Sequence, residues 1–211
     1  MKSVDSTIRI LCKIVLRQWR RSRNHLLLPA TAGLLLTQTA YADLAAQHPA
    51  PSVYQVEAAY LYDFGKFVKW PVTYSANRGG DFSICVLGDA PFDSVLQSTL
   101  AGEHLAGVPV VVRRLAKPQD AASCRVLFIN GDEESHLKEI LAVLDQESVL
   151  TVSDIPNFSR RGGMIEFVME GNRVRFAINR ATAENAGLVL GSDLLQVAAA
   201  VWGTGRSGGP E

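Results

Sequence analysis

Four short apolar runs recur along the chain and constrain its fold more than any other feature. Each is long enough for one strand, and they span residues 82–88, 108–115, 124–130 and 149–153. Runs of this length without polar alternation are typical of strands buried on both faces, as in parallel sheets. Helical patterns lie between them, so the sequence predicts an α/β sandwich with a largely parallel central sheet flanked by helices.

The first helical pattern precedes these runs. Val56, Tyr60 and Phe64 recur every four residues, which predicts an amphipathic helix that Pro71 ends. Glu57 lies mostly off this apolar stripe. Further helices are predicted over residues 89–100 and 133–146.

The C-terminal third has a different pattern. Two apolar runs, residues 164–170 and 173–178, are separated by Gly171-Asn172, a pair that two-residue hairpin turns favour. We therefore expect a β-hairpin, followed by helices of which the last covers residues 193–202.

The first 42 residues have the composition of an export signal. They hold seven Lys/Arg and one acid, whereas residues 43–211 hold 14 Lys/Arg and 20 acids, a net charge of −6. The apolar segment at residues 26–37 is shorter than the roughly 20 residues that span a bilayer. Because small residues surround Ala42, we expect cleavage after it rather than a single membrane anchor. The predicted organisation is a signal peptide (1–42), a flexible lead-in (43–52), one α/β domain (53–202) and a disordered tail (203–211).

Cys85 and Cys124 are the cysteines that follow the leader. In an oxidising compartment they either form a disulfide, which would close a loop of about 40 residues and stabilise the fold by roughly 3–4 kcal/mol, or remain two buried thiols that pack as small apolar side chains. Their apolar surroundings suit both alternatives, and the even count favours the disulfide.

A search for chemistry-bearing motifs gives no reaction centre. His48, His104 and His136 have no pair at metal-ligand spacing, which disfavours a zinc site. No phosphate-binding glycine loop or nucleophile elbow is present. The acidic charge after the leader disfavours nucleic-acid binding. We therefore predict no cofactor and no metal, and favour binding or regulation over catalysis.

A small-molecule site is one hypothesis that the residues themselves supply. Gly88 and Asp89 end the first buried strand and Asp154 follows the fourth, at the sheet edge where α/β folds bind ligands. Each of these residues is equally compatible with an ordinary turn. Residues 160–163 (RRGG) fit either an anion-binding nest or, as we favour, a mobile loop that leads into the hairpin.

Several motifs taken together resemble one bacterial family. AAYLYDFGKFVKWP, FSICVLGDAPF, CRVLFI, VLTVSD, GGMIEFVMEGNRVRFAIN and GLVLGSDLL occur in the order found in the YfiR family of periplasmic proteins, over residues 54–200. The resemblance implies a non-enzymatic, often dimeric periplasmic repressor. It would bind the periplasmic region of a YfiN-type inner-membrane diguanylate cyclase and keep cyclic-di-GMP low. An outer-membrane lipoprotein of the YfiB type would sequester it.

The resemblance also bears on the cysteines and on the partner surface. Cys85 and Cys124 match the family's strand cysteines, but the second, closely spaced pair of some members is missing from residues 149–163. This absence argues against redox control through such a pair.

The predicted partner-binding residues lie on or before the hairpin: Phe158 as an apolar anchor, Glu170 and Arg173 beside the turn, and Phe176. The alternatives are a periplasmic small-molecule sensor and an unrecognised hydrolase.

Overall fold

A computed structural model describes residues 51–71, 80–88, 92–145 and 147–203. The described α-helices are α1 (Val53–Phe67), α2 (Phe92–Leu100), α3 (Leu137–Val143), α4 (Arg180–Asn185) and α5 (Ser192–Val197). The strands are β1 (Val68–Lys69), β2 (Phe82–Leu87), β3 (His104–Leu105), β4 (Val108–Leu115), β5 (Val126–Ile129), β6 (Leu150–Ser153), β7 (Ile165–Glu170), β8 (Arg173–Asn179), β9 (Val189–Leu190) and β10 (Ala200–Trp202). Short 3-10 helices occupy Pro118–Ser123, Gly131–His136 and Phe158–Arg160. None of the helices in these ranges is long and apolar enough to cross a membrane.

Eight strands form one sheet in the order β10-β8-β7-β6-β5-β2-β4-β3. The five neighbours from β4 to β7 are all parallel, and antiparallel pairs occur at β3–β4 and at the β7–β8 hairpin. The predicted α/β class with a largely parallel sheet is therefore confirmed. The hairpin with its Gly171-Asn172 turn is confirmed as well.

The sheet is covered on two faces, which explains the continuous apolar runs. Along β2, Ile84 and Val86 point to a first face and Cys85 and Leu87 to a second, and all four are buried. Helices α1 and α2 pack on the first face, while α3 and the Pro118–Ser123 segment pack on the second. Strands with a solvent face would have shown polar residues at every second position.

Helix α1 buries a stripe that overlaps the predicted one: Phe64 is fully buried as expected, whereas Val56 and Tyr60 are only partly buried. Its fully buried apolar residues are Ala58, Leu61 and Phe64, and Glu57 is only 4 % exposed. The prediction that Glu57 lies off the apolar stripe is thus wrong. The buried stripe is thus shifted by about one residue, with Ala58 and Leu61 in the core and Val56 and Tyr60 packed at its margin. A capping box between Ser52 and Gln55 fixes the start of the helix.

Two predicted helices are shorter than expected. The segment predicted as a helix over residues 193–202 ends at Val197 and continues as β10, which runs parallel to β8. The backbone N–H of Ala199 donates to the carbonyl of Phe176, so pairing with the sheet edge overrides the local helical pattern. The segment predicted over residues 133–146 begins as a 3-10 helix and becomes α-helical only at Leu137.

The cysteines form a disulfide. Cys85 on β2 is bonded to Cys124, just before β5, with a Cα–Cα distance of 5.9 Å. Both residues are fully buried on the second face. The Ser83 hydroxyl donates to the carbonyl of Ser123 at 2.9 Å, so the bond and its neighbours tie the segment that enters β5 to β2.

Candidate functional site

The carboxyl edge of the sheet has the topology at which α/β proteins bind ligands. β2 leads to α2 on the first face, whereas β5, its neighbour in the sheet, leads to α3 on the second face. A crevice opens between two such strands because their connections leave in opposite directions. The predicted ligand residue Gly88 stands at this point.

The chain's own side chains occupy much of that crevice. Asn130 donates to Asp132 at 2.7 Å, and a Cβ on Gly88 would overlap the Asp132 carboxylate. Gly88 also has φ of +107°, so glycine is required here by both its conformation and its neighbours. Arg114 donates to the Gly88 carbonyl at 2.9 Å. Beside it lies a cavity of about 320 Å³, lined by Leu87, Gly88, Arg114, Leu115, Ala116, Asp132 and Glu133.

Two acidic residues, Glu57 on α1 and Asp154 after β6, each bury one carboxyl oxygen. Oε2 of Glu57 and Oδ1 of Asp154 are buried and accept no hydrogen bond. Burial, together with the nearby Asp154 carboxyl, raises the pKa of Glu57 to about 7. Burial also raises the pKa of Asp154, as does Asp132, while the backbone N–H groups of Asp154 and Gly131 oppose the shift.

The carboxyl edge thus joins some of the predicted ligand residues and adds one that the sequence reasoning missed. Gly88 meets Asp132, and Asp154 lies against Gly131, where a Cβ would be 3.5 Å from its Oδ1. Asp89 lies outside the described residues. Glu57 was missed because the predicted stripe of its helix is shifted by about one residue; the spacing of Ala58, Leu61 and Phe64 was the signal that would have found it. Within the described ranges, no three His, Cys, Asp or Glu residues come together to hold a metal ion.

A second feature is an open groove between α1 and the β7–β8 hairpin, here called the hairpin groove. Its volume is about 650 Å³, and it is lined by Pro51, Val53, Val56, Tyr60, Asn172, Arg173, Val174, Arg175 and Val197. Val53 is 45 % exposed and Val197 is 56 % exposed. Apolar side chains that remain this accessible next to arginines are typical of a surface that binds another protein.

Charges border the hairpin groove. Arg173 is exposed at the first position of β8, directly opposite Glu170 across the turn. Arg175 lies 3.9 Å from Glu170 and donates to the Val197 carbonyl at 3.1 Å. The predicted partner residues Glu170 and Arg173 are therefore both on the surface.

The two predicted aromatic contacts, Phe158 and Phe176, are not on the surface, so neither ring is accessible to a partner in this structure. Phe158 is 0 % exposed in the core of the second face, and Phe176 is 1 % exposed in the core of the first. Phe176 packs edge-on against Tyr60, with the ring centroids 5.3 Å apart, so it supports the groove from beneath. Phe176 is buried because side chains along β8 point alternately to the two sides of the sheet. Phe158 is buried because the loop before the hairpin folds inward.

That loop, residues 157–163, is folded around a buried carboxylate. Glu166 accepts hydrogen bonds from the backbone N–H groups of Asn157 and Ser159 and from the Ser159 hydroxyl, at 2.7–3.1 Å. The guanidinium of Arg160 stacks on the Trp202 ring, 3.7 Å from its centroid. These contacts tie the loop to the rest of the domain, with the first arginine of the RRGG segment stacked on an aromatic ring.

The fold defines a mixed α/β domain with a largely parallel sheet. The family model described as YfiR/HmsC-like matches residues 54–199. This chain therefore belongs to the YfiR/HmsC-like family. A search of curated proteins found no match.

A comparison with solved structures shows a similar fold in a bacterial protein. A conserved domain protein from Vibrio cholerae O1 biovar El Tor strain N16961 superposes with a TM-score of 0.51 at 13 % identity, covering 72 % of this chain and 60 % of that one. The ABC domain from Streptococcus pneumonia in complex with L-Trp gives a TM-score of 0.42 at 11 % identity, covering 57 % of this chain and 55 % of the other. At 13 % identity the likeness to the Vibrio cholerae protein concerns the fold alone.

Proposed function

We propose that this protein is a periplasmic, non-enzymatic regulator that represses a membrane-bound diguanylate cyclase by binding its periplasmic region. The observation that carries the proposal is membership of the YfiR/HmsC-like family across the described domain. Lower cyclic-di-GMP would be the output. Release by an outer-membrane lipoprotein and assembly into a homodimer, which the resemblance to YfiR implies, stay predictions.

The hairpin groove supports this proposal as the surface that contacts the cyclase. It combines accessible valines with two arginines and a glutamate at its rim. Apolar contacts in such a groove would supply affinity, whereas the rim charges would favour a partner with complementary charge. Glu170 and Arg173 keep their proposed role, and Val53, Tyr60 and Val197 replace the buried phenylalanines.

The mechanism is a shift of population. A protein that binds only the inactive conformation of a cyclase lowers its activity by no more than its differential affinity for the two states. Repression therefore needs no catalytic residue in this chain. It needs a surface that the active conformation of the cyclase does not match.

Cellular cyclic-di-GMP tests the function directly. We expect its level to rise when the gene is deleted and to return when the gene is supplied in trans. An unchanged level in a strain whose membrane-bound cyclase is expressed would overturn the proposal. The purified periplasmic region of that cyclase should also bind this protein in vitro.

The variant Arg173→Glu tests whether the hairpin groove is the surface that contacts the cyclase. We expect this change to weaken cyclase binding by about 10-fold or more, because a reversed rim charge meets the partner with the wrong sign. Titration calorimetry with the cyclase's periplasmic region would measure it. Lys138→Glu is the matched control: it makes the same charge change at an exposed position of α3, on the opposite side of the sheet. Equal affinities of the two variants for the cyclase would exclude the hairpin groove as the surface that binds it.

A second candidate function is small-molecule sensing at the carboxyl edge. The cavity beside Gly88, with Arg114 and two acidic residues in its wall, favours it. Under this proposal Gly88 and Asp132 lie beside the ligand, Asp154 lies deeper, and Asp89 stays a predicted contact. A thermal-shift screen with small polar metabolites tests it. A ligand that stabilises the wild type but not Arg114→Ala would support it, and no stabilisation by any compound would count against it.

A further inference from the structure

The C-terminal strand β10 forms one edge of the sheet and follows a residue that lines the hairpin groove. It is three residues long, pairs with β8 and leaves Val201 42 % exposed. Val197, in the groove wall, precedes the strand by three positions. In between, the N–H of Ala199 donates to the Phe176 carbonyl at 2.8 Å. Movement of β10 away from the sheet would therefore reach the groove wall at Val197.

Helix α5 is too small to hold Val197 by itself. Of its six residues only Leu194 is buried, and Val197 at its end is 56 % exposed. A helix this short has little stability of its own. The Val197 carbonyl accepts from the Arg175 guanidinium at 3.1 Å, but this contact is open to water, where a hydrogen bond adds little. The position of Val197 therefore depends on the strand that follows it.

Trp202, the last residue of β10, is bound through both its edge and its face. Its indole N–H donates to the Ser159 hydroxyl at 3.2 Å, and the Arg160 guanidinium stacks 3.7 Å from the ring centroid. The same hydroxyl is buried and donates to the Glu166 carboxylate at 2.7 Å, which leaves it as an acceptor for the indole. These contacts need an aromatic face and a hydrogen-bond donor, and tryptophan supplies both.

We infer that Trp202 is a positioning residue of the hairpin groove. By binding Ser159 and Arg160 it keeps β10 on the edge of β8, and β10 in turn keeps Val197 in the groove wall. The groove is then complete only while β10 is docked. A partner that binds only this docked state loses affinity in proportion to the docked fraction, so a fraction of about 0.1 weakens binding about 10-fold. As a regulation of cyclase binding the inference rests on the proposed function; the docking of β10 does not.

Amide hydrogen exchange of the purified protein tests the docking without any cyclase. We expect the amides of residues 199–202 to exchange about 10-fold faster or more in Trp202→Ala than in the wild type, with those of β2 and β5 unchanged. The NMR signals of the Val197 methyl groups should shift in the same variant. Unchanged exchange at residues 199–202, equally faster exchange along the whole chain, or unshifted Val197 signals would each overturn the inference.

The variants Trp202→Phe and Trp70→Phe make the same change in two settings. Trp202→Phe keeps a ring beside Arg160 but loses the donation to Ser159, so exchange at residues 199–202 should rise by about 3- to 10-fold. The Trp70 N–H has no acceptor among the described residues, so Trp70→Phe removes no hydrogen bond there and should leave that exchange unchanged. Equal rates in the two variants would overturn the role of the Ser159 hydrogen bond.

Binding of the cyclase's periplasmic region tests the consequence for the groove. Trp202→Ala should bind it about 10-fold more weakly, Trp70→Phe should bind it like the wild type, and the bound cyclase should slow exchange at residues 199–202. Unchanged affinity in a variant whose strand has detached would overturn the link to the groove. If the wild type itself does not bind, the proposed function fails, and the exchange rates and the Val197 signals still decide whether Trp202 positions the groove wall.

Discussion

Replacing both Cys85 and Cys124 with alanine is expected to lower the free energy of unfolding by about 4 kcal/mol. The bond joins residues 39 positions apart, so its loss frees a long loop in the unfolded chain. Alanine is chosen because both sites are fully buried and a serine hydroxyl would add its own penalty. Urea unfolding of the double variant against the wild type, under non-reducing conditions, measures the difference.

A reducing agent provides the control for this prediction. The wild type with dithiothreitol should approach the stability of the double variant, and the double variant should not respond to it. A difference below about 1 kcal/mol would mean that the unfolded chain is already compact enough for the bond to add little. Because the bond lies on the second face, the hairpin groove on the first face should still bind its partner in any variant that folds.

Much of the sheet could be predicted because its strands obey a simple physical rule. A strand between two helical layers is buried at every position and is therefore mostly apolar, as β2 and β5 are. The hairpin was predictable because Gly171, with φ of +59°, and Asn172 suit a tight turn. The turn depends on the conformations of two neighbouring residues, and the strands depend on burial that acts on every residue alike. Both can therefore be read from a short stretch of sequence.

The functional surfaces were harder to predict because they depend on contacts between distant segments. Glu57 is polar, and its pKa is raised because the packing of α1 buries it and because Asp154, almost a hundred residues later, acts on it electrostatically. Phe158 resembles an exposed anchor in sequence, but the Glu166 carboxylate fixes its loop so that the ring turns inward. β10 continues a helical pattern and becomes a strand only because the edge of β8 is available to it.

Gly163→Ala is expected to lower the free energy of unfolding by about 3 kcal/mol or more. A Cβ at this position would overlap the ring of Phe158, and that ring is fully buried in a close-packed core. The Gly163 N–H also donates to the Phe158 carbonyl at 2.9 Å, so the backbone cannot shift away without losing that bond. The last residue of the RRGG segment is thus a glycine because the chain folds back onto an aromatic ring. Urea unfolding measures the loss.

Gly80→Ala is the matched control, since a Cβ there would meet no atom within 4 Å; it should change stability by less than about 0.5 kcal/mol. Adding Phe158→Leu to Gly163→Ala should recover part of the loss, because the smaller side chain leaves room for the new methyl group. Additive losses in this double-mutant cycle would contradict the steric account. A stable Gly163→Ala protein would likewise mean that the loop can move away from the core. Because β7 begins two residues after Gly163, such movement would reach the hairpin that borders the groove.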